Sequence, residues 1–204
     1  MSGKAWLSWS RIDGRALEAV LGLALLLVGL FGALFPLLGV TGPFPPVDSR
    51  EVRIDDLTQV PGAASAGDVT LRGTHTGELA FSHPDFIERL LLALPGLVQT
   101  LLLLVMLELL LRMARTLRDG DVFVAQNARR LGVVAVALAV TGTLVPLVTT
   151  VTTDLLVSGT DVASAVPVSY ELSVPYVLLA LLVAATAEAF RQGTRLRADT
   201  EGLV

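Results

Sequence analysis

Four stretches of this chain, residues 19–40, 90–111, 131–153 and 172–190, are almost uninterrupted runs of apolar side chains. Each has about the 20 residues that a helix rising 1.5 Å per residue needs to cross a hydrocarbon core of ~30 Å. The run LGLALLLVGLFGALFPLL shows no polar face at period 3.6, which argues against a soluble helical bundle. The expected fold is therefore membrane all-α: a bundle of four transmembrane helices, with residues 1–204 forming one four-span domain. The 53% hydrophobic and 17% charged side chains fit that class and not an average soluble domain.

The basic residues fix an expected orientation, because Lys and Arg near span ends are retained on the cytoplasmic side. Lys4, Arg11 and Arg15 precede the first span, and Arg112, Arg115, Arg118, Arg129 and Arg130 lie between the second and third. Arg191, Arg195 and Arg197 follow the fourth. The opposite face carries only Arg50, Arg53, Arg72 and Arg89, against eight acids in the first loop. Both termini are thus expected in the cytoplasm, with a basic inner face that meets anionic lipid headgroups and binds no nucleic acid directly. The first apolar run is too long for a cleaved signal peptide and lacks a small-x-small site, so it reads as an uncleaved anchor. No cysteine is present, so the outer loop has no disulfide and no thiol site exists. Arginine supplies fourteen of the fifteen basic residues, a usage expected of a GC-rich bacterium.

The segment 41–88 is too long for a mere connector between helices. It opens with TGPFPPVDS, and then EVRID, DVTLRG and GELAFS alternate apolar and polar residues at the period of half-buried strands. Two to four short strands are expected over residues 50–82. THTG, ending at Gly77, reads as a hairpin turn between the last two. This extracytoplasmic β-rich insertion is too small to be stable alone and should rest on the outer helix ends. Ser82 or Asp85 is placed to cap the second helix, with Glu88 in its first turn. The second outer loop, 154–170, either adds a strand or lies over the bundle.

Ionisable residues within spans are candidate sites, since holding charge there is costly. Glu108 stands one turn before Arg112, a favourable i,i+4 order, close to the inner end of the second span. Glu188 lies at a similar depth on the fourth. The third span holds six threonines and Pro146, which frees a carbonyl that hydroxyl groups can satisfy. His75 and His83 lack zinc-type spacing, so neither a metal nor another cofactor is expected. No phosphate-cradling loop, serine nucleophile motif or H-E-x-x-H pattern occurs, and an enzyme is not expected.

Residues 112–130 form the expected cytoplasmic hairpin. The second helix continues through RMARTLRD, Gly120 is a natural left-handed terminator, and Phe123 folds back on the bundle. Ala125, Gln126 and Asn127 begin the third helix, and Arg129 and Arg130 face the lipid phosphates. The string GDVFVAQNARRLG, between spans two and three of a four-span chain, resembles the domain-of-unknown-function 2975 family of bacterial membrane proteins, and the tail FRQGTRLRADTEGLV is similar to that family's ending. The similarity extends over nearly the whole chain, with its specific motifs in these two stretches. Where the family pattern often has Pro before the Phe and a Ser or Thr cap after it, this chain has Val122 and Val124, so the third helix is expected to be poorly capped.

The resemblance implies a multi-pass protein of the bacterial plasma membrane, in some cases encoded beside a small helix-turn-helix regulator, and supplies no reaction. The function expected is non-enzymatic: binding or sensing outside, coupled to a cytoplasmic protein partner inside, with homo-oligomers possible. The alternative is a subunit of a small oligomeric transporter or channel. The candidate positions are Glu108, Arg112, Gly120, Phe123, Asn127, Arg130 and Glu188. Convergence of Glu108, Thr149 and Glu188 on one cavity would favour transport, and dispersal would favour partner binding.

Overall fold

The computed structural model describes residues 11–54, 76–118, 124–160, 163, 166 and 168–201. Four helices are long and apolar enough to cross a membrane: Gly14–Thr41, Phe86–Thr116, Ala125–Val157 and Val174–Arg195, with mean hydropathies of 2.5, 2.4, 2.3 and 1.6. They mark a multi-pass membrane protein. The helices outrun the apolar windows, because charged residues beyond a window continue the helix into the interface. One, Phe86–Arg118, has 33 residues and is about 50 Å long at 1.5 Å per residue.

The first span comprises α1 (Arg11–Leu27), a π-helical segment (Val28–Leu34) and α2 (Phe35–Thr41). The wide turns directly precede Pro36, which has no N–H to donate and whose ring crowds the carbonyl four residues back. Gly42 ends the span in a left-handed conformation (φ 106°), its N–H bonded to the Leu38 carbonyl. The remaining helices are α3 (Phe86–Arg118), α4 (Ala125–Val157) and α5 (Val174–Glu201). Asp85 and Glu88 form a reciprocal capping box at the start of α3: the Glu88 N–H donates to Asp85 Oδ1 at 2.7 Å and the Asp85 N–H to Glu88 Oε2 at 2.8 Å. By contrast α4 begins at Val124 with no side-chain cap, as its sequence predicts.

The first span packs on α3, α3 on α4, and α4 on α5, while among the described residues the first span and α5 do not pack extensively on one another. Within the expected four-helix bundle the helices thus stand as an open row. Its core lies where α3, α4 and α5 meet, around Met106, Val134, Ala137, Leu138 and Ala180, with Tyr176 and Val183 against them. The reason lies in side-chain size. Gly142 and the alanines of α4 let α3 and α5 approach from both sides, whereas Val20, Leu23, Leu26, Phe31 and Leu34 of the first span remain exposed and suit lipid. At Gly32 a Cβ would lie 2.7 Å from Thr100 Oγ1, so any larger residue forces Thr100 or the crossing of the first span over α3 to shift.

Two antiparallel strands, β1 (Ser49–Arg53) and β2 (Thr76–Ala80), pair in the register Ser49↔Ala80 to Arg53↔Thr76. The expected hairpin around THTG is corrected in part: Gly77 sits inside β2 opposite Val52, and the partner of β2 is β1. Burial explains the choice, since this pairing places Val52 with Leu79 against Val157 of α4 and Val166 of the following loop. DVTLRG, His75 and the stretch 60–67 lie outside the described residues. The loop after α4 lies over the sheet through Val166 and forms no strand among the described residues.

Candidate functional site

The two ends of the helix row carry different chemistry. At the end opposite the sheet, α3 runs to Arg118 and α4 starts at Ala125. Gly120 and Phe123, both expected to shape this turn, lie outside the described residues. Asn127 is 1% exposed and is the hub here. Its Nδ2 donates to Thr116 Oγ1 at 2.9 Å, and its Oδ1 accepts from Arg130 Nη1 at 3.1 Å. The same Nη1 also reaches the Arg112 carbonyl of α3 at 3.2 Å. Arg112, Asn127 and Arg130 are therefore brought together, as a network that ties α3 to α4. Sequence reading expected Arg130 to face lipid phosphates; its guanidinium instead satisfies protein acceptors.

Glu108 accepts from Arg112 Nε at 2.7 Å, the anticipated i,i+4 pair. It lines a groove of about 420 Å³ with Leu25 and Leu104, between the first span and α3. Glu188 pairs with Arg191 at 2.6 Å and accepts from Gln192, in a groove of about 670 Å³ between α4 and α5. Thr149 lines a third cavity, about 400 Å³, at the sheet end beside Pro146 and Glu171. The three polar candidates do not converge. Glu18 gained no notice from the sequence, yet it takes an ion pair from Arg115 at 3.3 Å and joins α1 to α3. Its signal was an acid next to the first apolar run, in a segment that also holds Lys4, Arg11 and Arg15.

At the sheet end the geometry is set by prolines. Pro95 of α3 has no N–H for the Leu91 carbonyl, and Pro146 of α4 has none for Gly142. The Leu91 oxygen accepts instead from Arg50 Nη1 of β1 at 3.3 Å, and the Gly142 oxygen from the Ser173 N–H just before α5 at 3.0 Å. Each broken helical rung is thereby filled by a segment from outside the spans. The sequence suggested threonine hydroxyls for this task. Thr141, Thr149 and Thr150 instead donate to carbonyls one turn back on their own helix, those of Ala137, Val145 and Pro146.

Arg50 also donates from Nη1 to Thr152 Oγ1 at 2.9 Å and from Nη2 to Thr153 Oγ1 at 2.5 Å. Its Nε is buried without a partner. Burial pushes its pKa down from the ordinary arginine value, because the charged form has lost solvent and no carboxylate among the described residues repays it. Sequence reading counted Arg50 only as one of four bases on an acidic face. A neighbouring exposed pair, Arg53 with Glu171, ties β1 to the segment leading into α5.

Against known proteins, the model of a family described as protein of unknown function, DUF2975, matches residues 68–204. That range is shorter than the near-complete extent expected: it takes in β2, α3, α4 and α5 and leaves out the first span and β1. No curated protein and no solved structure matches the chain.

Proposed function

Because this chain belongs to the DUF2975 family, which is defined by sequence and not by a reaction, we propose that it works as a non-enzymatic sensing or binding protein of the bacterial plasma membrane. Both termini and the turn 112–130 face the cytoplasm, the sheet faces outward, and the basic inner end docks a cytoplasmic protein. The partner that the family resemblance implies is a small helix-turn-helix regulator. One observation carries the reading: the sheet and the segment before α5 are bonded into the broken rungs of α3 and α4. A ligand that shifts the sheet therefore acts on the two helices whose other ends carry the Asn127 network.

The transporter reading is weakened by the separation of Glu108, Thr149 and Glu188 into three cavities. A shared aqueous path would need them together. Orientation is open to direct measurement, since a chain without cysteine accepts single reporter cysteines without background labelling. A cysteine at Ser82 should react with an impermeant maleimide in intact cells, and one at Gln126 only after lysis. The reverse pattern sinks the topology. For docking, the regulator should co-purify with the unmodified protein in fixed ratio and be lost from a Phe123→Ala, Arg129→Gln variant. Equal recovery with the variant would remove the turn as the docking surface.

A further inference from the structure

A cation held in a low-dielectric place without a carboxylate is costly, and Arg50 is so held. A guanidinium has five N–H donors. Three of those on Arg50 meet neutral oxygens, of Leu91, Thr152 and Thr153, while Nε–H and one N–H of Nη2 have none. These hydrogen bonds fix the direction of the group but leave its charge unneutralised. The C-terminal end of α4, where Thr152 and Thr153 lie, offers only the partial negative charge of a helix end.

Arg50 also lines a crevice of about 390 Å³ between the first span and α3. Its other walls are apolar or small: Pro36, Val47, Leu92, Ala93 and Gly96, with Gly32 and Thr100 deepest in the span. From Leu92 to Thr100 it follows α3 for about 12 Å at the helical rise per residue. The small residues make it concave, and the first span that forms one of its walls leaves apolar side chains exposed along its length. A positive group at the interfacial end and an apolar furrow running toward the bilayer centre have the form of an anionic amphiphile.

We propose that this crevice binds one anionic phospholipid of the sheet-side leaflet, its phosphate oxygens paired with the Arg50 guanidinium and part of one acyl chain lying along Ala93, Gly96 and Thr100. The phosphate supplies the counter-charge that the described protein residues lack, through charge-assisted hydrogen bonds of the kind arginine makes with phosphate. The bound lipid then bridges β1, the first span and α3, so the seating of the sheet depends on membrane composition.

The test is native mass spectrometry of the full chain released from micelles containing equal amounts of dioleoyl phosphatidylglycerol and dioleoyl phosphatidylcholine. One phosphatidylglycerol should be retained with a preference of about tenfold, the scale of one charge-assisted hydrogen bond. Arg50→Gln should abolish the preference. Should that variant fail to fold, Gly96→Leu replaces it: a Cβ at Gly96 meets nothing within 4 Å, so the side chain fills the furrow while Arg50 stays. Loss of the retained lipid in Gly96→Leu, with melting unchanged, supports the site. No preference in the unmodified protein, or an undiminished preference in Gly96→Leu, overturns it. Inorganic phosphate that competes the lipid away at millimolar concentration, with no dependence on Gly96, would also overturn it, by identifying a free-anion site.

Discussion

The closeness of α4 and α5 can be tested at a single methyl group. A Cβ built on Gly142 would lie 2.9 Å from Tyr176 Cβ, 3.1 Å from the Ser173 carbonyl oxygen and 3.4 Å from Val177 Cγ2. The first two cannot swing aside. One is the root of a packed side chain, and the other is backbone anchored by the Ser173 N–H bond to the Gly142 carbonyl. Gly142→Ala must therefore push the start of α5 outward, an overpacking that costs about 1–3 kcal/mol. Replacing a helical glycine by alanine returns about 1 kcal/mol, so the net effect is a loss of about 0–2 kcal/mol. Gly132, on the same helix, has nothing within 4 Å of its would-be Cβ. Gly132→Ala should give the propensity gain alone, about 1 kcal/mol. Because the backbone contribution is common to both, their difference isolates the overpacking at about 1–3 kcal/mol. Reversible unfolding in mixed micelles, titrated with a denaturing detergent, would measure it. Equal stabilities for the two variants would refute the claimed approach of α5 to α4.

Three further outcomes follow from the same geometry. Asn127→Ala strips Arg130 and Thr116 of a buried partner, and should destabilise by about 2 kcal/mol in the same unfolding assay; a loss below about 0.5 kcal/mol would contradict its role as hub. Arg50→Gln should cost less in a Pro95→Ala background, where the residue 95 N–H can again serve the Leu91 carbonyl; a double-mutant cycle should give a coupling of about 1 kcal/mol, and strict additivity would deny that Arg50 fills that rung. Arg53→Ala removes an ion pair whose side chains are 61% and 57% exposed, so it should change stability by less than about 1 kcal/mol and not at all in high salt; a larger, salt-insensitive loss would show that the pair is shielded.

What could be read in the sequence was what depends on neighbours in the chain. The spans, the Asp85 and Glu88 capping box, the uncapped start of α4 and the Glu108–Arg112 pair all involve residues within one or two helical turns of each other. The pairing of β1 with β2 was not legible, because alternation marks both strands without naming a partner. Val157 and Val166, distant in sequence, select it by receiving Val52 and Leu79. Arg50 was hidden for a related reason: its significance arises from Leu91, Thr152 and Thr153, and nothing in SREVR distinguishes it from Arg53, which stays largely in solvent. The open row was likewise hidden, since apolar windows report affinity for lipid and not which helix stands beside which.

Pro146 was legible as a break in helical hydrogen bonding, and the sequence suggested hydroxyl groups for the carbonyl it frees; Pro95 makes a second break of the same kind. Two kinds of donor were available. Threonine hydroxyls on α4 lie nearby, but each can reach a carbonyl one turn back on its own helix, a bond that requires no tertiary placement. The donors in fact used, the Arg50 guanidinium and the Ser173 backbone N–H, have no such local alternative. A buried N–H left unpaired costs free energy comparable to a lost hydrogen bond, so these groups are held at the broken rungs more firmly than a hydroxyl would be. The prolines thereby convert gaps in two spans into attachment points for β1 and for the start of α5. A change at the sheet must either break those bonds or carry α3 and α4 with it.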